Sequence, residues 1–433
     1  MKNTTFDRHA VFFLMALIMT AFAACNTPEP EIIDKPTDTP EKWQFALSPV
    51  PVDPATALGQ GGQVTLTVES PEDWTLSSNE DWLSVEPASG KAGRTTVTVT
   101  TLPNPDKFDH FALLTLSAGE QQQTDTFYQY VNIFRKAKWK TANLTNYVTV
   151  TYDQNVAFTR MFIVVPFPES NQYQEIRNAA YGSAKMEHSP EGVGYLYYYA
   201  TSNFLPSGSR FIDFNYTVDM YYVETNFDAI THPDLPYDTK TGWYKRYTST
   251  TVAAGGFNMI NPNHPWVFET SNMLWEQSGH NRIEYARLCY EYVASHFTYG
   301  MYDGTNSVEE IIDRMSGDCG NQHAIWLSLM RKKGIPARPI VMNSPEDFSH
   351  VRGEFYVPGY GWIPVDVTYH QGGGDYFGKF TKDNLVVMNT EFAFKISNPK
   401  ETYTCNLLQG LFWLYGISAK GEVNADFHFG YRN

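Results

Sequence analysis

The chain has 433 residues, enough for two or three domains, and a formal net charge of −15 at pH 7. This acidity argues against nucleic acid or anionic lipid as the main partner. Aromatic residues make up 15% of the sequence, which suits large β-rich cores, and exposed rings could stack on sugars.

Residues 1–24 are predicted to be a secretory signal peptide, since a short basic start precedes the apolar run VFFLMALIMTAFAA. That run is too short to predict a membrane span. The following "FAAC" resembles a bacterial lipobox, in which the cysteine is lipidated and becomes the mature N-terminus. The resemblance implies an exported protein held by lipid at Cys25 to the outer membrane, on its periplasmic or surface side. The alternative is an ordinary signal peptide with an incidental cysteine.

The stretch 25–42 is rich in proline, acidic residues and threonine, and is predicted to be an extended linker. Beyond Cys25 the chain has Cys289, Cys319 and Cys405, an odd number for an oxidising compartment. At least one of these thiols should therefore be free unless it pairs with another chain. We expect Cys289 and Cys405 to be inert, either buried or joined to each other.

Residues 43–134 alternate apolar and polar side chains, as in QVTLTVES, between turn clusters, which predicts a small antiparallel β-sandwich. The stretch WTLSSNEDWLSVEPASGKAGRTTVTVTT resembles the BACON family, small sandwich domains of Bacteroidetes surface proteins. The resemblance implies one of two roles for this domain, binding of glycan or a spacer. For Trp74 and Trp82 themselves, we favour packing in the core over contact with sugar.

Residues 138–265 form a second β-rich segment, predicted to be another sandwich. Its predicted strands include NYVTVTYD, TRMFIVVPFP, RFIDFNYTVDMYYVET and WYKRYTSTTV. After it the pattern becomes helical. One helix carries Cys289 on its apolar face, a second begins with the capping box of Ser307 and Glu310, and a third begins at Cys319 and ends before Gly334.

Cys319 lies at the positive end of its predicted helix, where unpaired N–H groups and the macrodipole stabilise a thiolate. The position predicts a lowered pKa for this thiol, and the same N–H groups could hold an oxyanion. A cysteine at a helix start is nevertheless more often structural than catalytic, so the downstream sequence decides.

Downstream, DFSHVRGEFYVPGYGWIPVDVTY predicts a β-hairpin around the PGYG turn. His350 lies near the start of its first strand, and Asp366 is predicted to lie within the second, nearly opposite Phe355 or Phe348. A base beside a thiol and a carboxylate that orients the base make up a nucleophile triad.

These pieces together resemble the transglutaminase-like superfamily of papain-related enzymes. The matching motifs are Gly-Asp-Cys ending at Cys319, GIPAR at 334–338, and the GWIPVD stretch ending at Asp366. The resemblance covers roughly 281–392 and implies catalytic roles for Cys319, His350 and Asp366. It places the core at 266–395, followed by a C-terminal extension at 396–433.

Two features depart from the superfamily pattern or are left open by it. The superfamily usually has the motif His-x-Trp-x-Glu, and this chain has Arg352 at the position of the tryptophan. The difference is expected to alter the wall of the site. For a second, upstream oxyanion donor the candidates are Tyr299 and Trp275, and the sequence does not choose between them. The histidines lack zinc-ligand spacing and no calcium loop is recognisable, so no metal and no cofactor are predicted.

The sequence thus predicts a multidomain chain, with two all-β sandwich domains followed by an α+β transglutaminase-like (papain-like) core. The expected partner is a peptide or protein substrate whose amide is attacked to give a thioester, with hydrolysis favoured over cross-linking. Glycan is expected only at the N-terminal sandwich, membrane only through the lipid anchor, and nucleic acid not at all. The alternative is a non-catalytic scaffold that binds glycan or protein.

Overall fold

The computed structural model describes residues 46–49, 58–182, 184–202, 204–301, 306–346, 348–418 and 421–432. The predicted signal peptide, linker and lipidated Cys25 lie outside the described residues. Among the residues that are described, no helix has the length and apolar character needed to cross a membrane.

The first sandwich packs two four-stranded antiparallel sheets, ordered β1-β2-β6-β4 and β5-β3-β7-β8. Its strands are β1 (Ala46–Pro49), β2 (Gly62–Ser70), β3 (Trp74–Ser78), β4 (Leu83–Glu86), β5 (Ser89–Gly90), β6 (Gly93–Thr101), β7 (His110–Ala118) and β8 (Gln121–Gln129). Alternate valines and leucines of β2, β6 and β7 fill the core, as their period of two predicts. Trp74 is 2% exposed and Trp82 packs against the same core.

The second sandwich begins with β9 (Phe134–Tyr152), β10 (Phe158–Pro166), β11 (Gln174–Ala180), β12 (Lys185–His188), β13 (Gly194–Ala200) and β14 (Arg210–Thr225). The predicted strand WYKRYTSTTV is wrong over most of its length, because Gly242–Thr248 forms a helix, α1. The Thr241 side chain caps this helix by accepting from the Tyr244 N–H group. Tyr247 then packs against two aromatic side chains of the core, so burial overrides strand propensity.

The core surrounds the helix that begins at Cys319. Its elements after α1 are β15 (Thr251–Val252), β16 (Asn258–Ile260), α2 (Pro265–Gln277), α3 (Arg282–His296), β17 (Thr298–Tyr299), α4 (Val308–Arg314), β18 (Ser316–Gly317), α5 (Cys319–Lys332), β19 (Ala337–Ser344), β20 (Phe348–Val357), β21 (Gly361–Val365), α6 (Val367–Gln371), β22 (Lys379–Phe380) and β23 (Val386–Asn389). One four-stranded sheet has the order β21-β20-β19-β23. Helix α5 is buried along most of its length between the other helices and this sheet.

The C-terminal segment contains β24 (Ala393–Ser397), β25 (Thr402–Asn406), β26 (Phe412–Ile417) and β27 (Val423–Tyr431). It returns to the second sandwich, where β26 pairs with β10 and β27 pairs with β9. The fold class predicted from the sequence, two sandwiches and an α+β core, is confirmed. The segment predicted as an extension at 396–433 supplies edge strands of the second sandwich.

Candidate active site

Cys319 is the first residue of α5, and Asp318 caps the helix by accepting from the Asn321 N–H group at 2.9 Å. The preceding β18 pairs in parallel with β17, which fixes the approach to the helix. Gly317 is required there, since a Cβ atom would lie 2.4 Å from the Asn321 side chain. Cys319 is partly exposed, whereas the other two described cysteines are buried, and none of the three is in a disulfide.

The pKa of Cys319 differs from the expectation drawn from its helix position. Burial of the sulfur, followed by the neighbouring Asp318 carboxylate, raises the pKa of this thiol to about 12. The nearby backbone N–H groups of Val351 and Gly320 act to lower this pKa but offset only part of the rise. The lowered pKa predicted from the sequence is therefore wrong, because desolvation outweighs the helix end.

His350 and Asp366 are in direct contact, with 2.8 Å between His350 Nε2 and Asp366 Oδ2. Both side chains are buried. The prediction that Asp366 lies within the second hairpin strand is wrong, because β21 ends at Val365. Asp366 caps α6 instead, accepting from the Tyr369 N–H group at 3.1 Å. Since Gly353 pairs with Val365, Asp366 falls beside Arg352, not opposite Phe355 or Phe348.

Two rings fix the orientation of the His350 imidazole. It stacks between Phe348, at 6.0 Å between ring centroids, and Tyr369, at 4.6 Å. With Nε2 held by Asp366, Nδ1 has no hydrogen-bond partner among the described residues. The N–H group of the next residue, Val351, lies close enough to the Cys319 sulfur to lower its pKa, so the thiol lies near the start of β20 and near His350.

A second histidine, His323, ties the nucleophile to the carboxylate. Its Nδ1 lies 2.8 Å from the Cys319 carbonyl oxygen, and its Nε2 accepts from the Val367 N–H group at 3.2 Å. Burial lowers the pKa of His323 to about 4, so the ring is neutral at pH 7. From the sequence, His323 lies one turn after Cys319, where it could stack near the thiol but is expected merely to pack on the helix face. Its link to the residue after Asp366 depends on tertiary contact.

Arg352 is not the wall of the site that the sequence predicted, because its side chain is fully buried. Its Nε donates to Asp366 Oδ2 at 2.7 Å, the same oxygen that contacts His350. Its Nη2 donates to Thr381 Oγ1 at 2.7 Å and to Asp383. Although burial by itself raises the pKa of Asp366, His350 and Arg352 hold it well below its usual range.

The two candidate oxyanion donors lie in different places. Tyr299 lies in β17 opposite Gly317 and is 52% exposed. Its pKa is raised, mainly by partial burial and to a smaller extent by the nearby Cys319 and Asp318. Trp275 packs against Tyr285 and lies under Lys333, the residue that follows α5. The helix is 14 residues long, so Trp275 is about 20 Å from the end that carries Cys319. The structure brings only Tyr299 near the thiol.

A cavity of about 280 Å³ borders the first turn of α5. It is lined by Asp318, Gly320, Asn321, Ala324, Met259, Asn306, Phe392, Asn406 and Leu407. Among these lining residues Asp318 is the only ionisable one, and its carboxylate is already used as the helix cap. Leu407 has φ +45°, a left-handed conformation that is costly for a leucine and is often found at functional sites.

Asp383 and Tyr369 are the site residues that sequence reasoning did not assign. The sequence signal that points to Arg352 as a neighbour of the base is the strand period of two, since His350 and Arg352 must share one face of β20. Their shared partner, Asp366, and the second carboxylate, Asp383, are positioned by loops whose path the pattern does not specify. No group of three or more potential ligands is placed to hold a metal ion within the described part of the chain.

Comparisons with known proteins agree with both resemblances. Residues 273–367 match the model of the transglutaminase-like superfamily, and residues 46–132 match the model of the viral BACON domain. The resemblances predicted for these two regions are therefore confirmed. No curated protein matches the chain.

Three of the solved structures that are partly similar illustrate the likeness. A protein described as a candidate cysteine protease from Cytophaga hutchinsonii has 13% identity and a TM-score of 0.42, over 69% of this chain and 100% of its own. A GH5 xyloglucanase from Bacteroides ovatus has 23% identity and a TM-score of 0.17, over 17% of this chain and 16% of its own. A protein described as a TGase has 11% identity and a TM-score of 0.22, over 47% of each chain.

Proposed function

We propose that this chain, whose residues 273–367 form a transglutaminase-like core, is a cysteine enzyme that acts on peptide or glutamine-type amide bonds. Cys319 is the nucleophile, His350 the base, and Asp366 the carboxylate that orients the base. The observation that carries the proposal is the 2.8 Å contact between His350 and Asp366, next to the helix start that bears the thiol.

In the first step the base must remove a proton, because burial keeps the thiol protonated at neutral pH. His350 Nδ1 takes the proton from Sγ as the sulfur attacks the carbonyl carbon of the substrate. Asp366 keeps Nε2 protonated and stabilises the imidazolium that forms. The N–H group of Cys319, at the first helical position and without an intrahelical partner, is placed to donate to the oxyanion.

The tetrahedral intermediate then collapses as the C–N bond breaks. His350 gives its proton to the leaving nitrogen, which departs as an amine or, from a glutamine-type amide, as ammonia, and a thioester on Cys319 remains. Water next attacks this thioester while His350 takes its proton, and the products are a carboxylic acid and the free thiol. Hydrolysis is favoured over transfer to an amine because water is the abundant acceptor outside the cell.

The cavity beside α5 is proposed to hold the part of the substrate adjacent to the attacked carbonyl. Met259, Ala324, Phe392 and Leu407 give it apolar walls, and the remaining polar lining consists of amides and the cap of the helix. An uncharged side chain suits this lining, whereas a carboxylate would be desolvated beside Asp318 without a cation to compensate it.

The cellular setting is a separate proposal that rests on the sequence of residues 1–25. Export followed by lipidation of Cys25 would place the enzyme at the envelope, and Cys25→Ala should move it from the membrane fraction to the soluble fraction. Glycan binding by the first sandwich is also proposed, with contacts from residues other than the buried Trp74. Retention of the isolated enzyme on immobilised polysaccharide, with and without residues 46–132, tests it.

Two measurements on the full chain test the enzyme. The first is alkylation of the native protein by iodoacetamide, mapped by mass spectrometry, in which Cys319 should react much faster than the buried Cys289 and Cys405. The second is incubation with a mixed library of peptides and glutamine amides, in which ammonia and new N-termini are measured separately. Neither product should form with Cys319→Ala. If the wild type forms neither product and transfers no amine, the chain is a scaffold.

A further inference from the structure

A buried chain of alternating charges extends from the candidate base away from Cys319. Asp366 Oδ2 receives hydrogen bonds from His350 and, at 2.7 Å, from Arg352 Nε, and the other end of the Arg352 guanidinium binds Asp383. Arg352 and Asp366 are completely buried, and the Asp383 side chain is 19% exposed. Each of the three charges therefore lies next to one of opposite sign.

Purely structural pairing explains this arrangement poorly. Arg352 Nη1 and Asp383 Oδ1 are buried without a hydrogen-bond partner among the described residues, and an unsatisfied buried polar atom costs free energy. An apolar residue could fill the same space on β20 at lower cost, because buried ion pairs are often replaceable by apolar side chains without loss of stability.

We infer that Arg352 and Asp383 are positioning residues, which fix the Asp366 carboxylate against His350 and set the electrostatic potential at the Cys319 thiol. The inference rests on the proposed function of the three catalytic residues. Arg352 fixes Oδ2 of Asp366, while Thr368 and the Tyr369 N–H group hold Oδ1. The carboxylate therefore has one orientation, and the imidazole that bonds to it has one as well.

The charges also act at a distance on the thiol. The groups that face the His350–Cys319 pair are Asp318 and His323 from the α5 side, Asp366 and Tyr369 from the α6 side, and Arg352 with Asp383 behind Asp366. Removing the Arg352 cation makes the potential at the sulfur more negative and disfavours the thiolate. Removing the Asp383 anion has the opposite effect.

The test is the rate of Cys319 alkylation by iodoacetamide at a fixed pH of about 8, which needs no substrate. At an effective dielectric constant near 20, a unit charge about 12 Å from a sulfur shifts the pKa of the thiol by about one unit. A one-unit rise leaves tenfold less thiolate, partly offset by its greater nucleophilicity, so the net change is about threefold. Arg352→Met should therefore react about threefold more slowly, and Asp383→Asn about threefold faster.

Three further variants separate charge from structure. Arg352→Lys keeps the cation but cannot hold both carboxylates in a fork, so alkylation should stay near the wild-type rate while kcat for amide hydrolysis falls. The double variant Arg352→Met with Asp383→Asn should react at a rate between those of the single variants. Asp375→Asn removes an exposed carboxylate from the preceding connection, between α6 and β22, and should change neither rate.

Equal rates for Asp383→Asn and the wild type, or a change of the same sign in both single variants, would show that Arg352 has only a structural role. If Arg352→Met does not fold, Asp383→Asn alone decides, since its side chain is partly exposed. If the wild-type thiol does not react at all in the native protein, the proposed function fails. That outcome differs from a reactive wild type whose variants show unexpected relative alkylation rates, which would contradict only the roles of Arg352 and Asp383.

Discussion

The first turn of α5 and the first residues of β20 each bring a buried histidine to the candidate site, and their surroundings differ. Both ring nitrogens of His323 are used by backbone groups, the Cys319 carbonyl and the Val367 N–H group. His350 uses one nitrogen for the Asp366 carboxylate, and its other nitrogen has no hydrogen-bond partner within the described ranges. A histidine held by two neutral backbone groups stays neutral and anchors, whereas one held by a carboxylate can accept a proton.

The two sides of the site accordingly have separate tasks. The α5 side provides the nucleophile, its N–H group and the wall of the adjacent cavity. The β20 side provides the base and, through Asp366 and Arg352, the charges that support it. Changes on the β20 side should therefore affect the chemical step, and changes on the α5 side other than at Cys319 should affect stability and the choice of substrate.

The largest effect is expected from replacing each of the two histidines in turn and comparing the loss of activity. His350→Ala removes the base and should lower kcat/KM for amide hydrolysis by about 10³-fold. His323→Gln removes only an anchor, so hydrolysis by the folded fraction should fall less than tenfold. Steady-state kinetics on both variants, corrected for the folded fraction by circular dichroism, provide the comparison. A greater loss for His323→Gln would reverse the assignment of the base.

A smaller loss is expected from Asp366→Asn. The amide can still accept one hydrogen bond, but it favours the wrong imidazole tautomer and cannot stabilise the imidazolium, so we expect kcat to fall by about 10- to 10³-fold. Arg352 would also lose one of its two anionic partners, and the thermal midpoint should be measured in parallel. Full activity in this variant would mean that the site works as a dyad of Cys319 and His350.

The elements of the core were largely predictable because local signals specify them. Ser307 with Glu310 forms the predicted capping box, and Asp318 opens the helix that the Gly334 turn closes. The hairpin around PGYG is present with the expected strands. The α1 segment was missed because its aromatic residues favour strands locally, whereas the helix is supported by packing of Tyr247 against Tyr356 and Trp362 in the folded chain.

Non-local contacts explain what the sequence did not predict. The pairing of β27 with β9 joins residues separated by more than 250 positions, and no local pattern specifies such a partner. The same holds for the Arg352–Asp383 contact, since a charged residue in a strand usually indicates a solvent-facing position. The pKa of Cys319 was predicted in the wrong direction because a sequence reveals a helix end but not the burial of the thiol.

A third prediction concerns the way in which His323 makes the stability of the protein depend on pH. In the folded state burial lowers the pKa of His323 from 6.5 to about 4, so the unfolded chain binds its proton first as the pH falls. The contribution of His323 to the free energy of unfolding is therefore complete above pH 6.5. As the pH falls from 6.5 to 4, this contribution decreases by about 3 kcal/mol in total. Urea unfolding of the wild type and His323→Gln across this range measures the difference. The variant should lose less stability, and parallel curves would contradict the buried neutral state.

The smallest effect is expected on the α5 side, from filling the cavity. Ala324 lies one turn after Gly320 and lines the cavity, so Ala324→Leu keeps the helix and occupies space that the substrate is proposed to use. Hydrolysis of amides next to a large uncharged side chain should fall about tenfold, whereas amides next to glycine should be affected little. Alkylation by iodoacetamide serves as the internal control, because this reagent is too small to need the cavity. An equal loss for all substrates, accompanied by slower alkylation, would mean that the substitution has displaced Cys319 and that the cavity does not select the substrate.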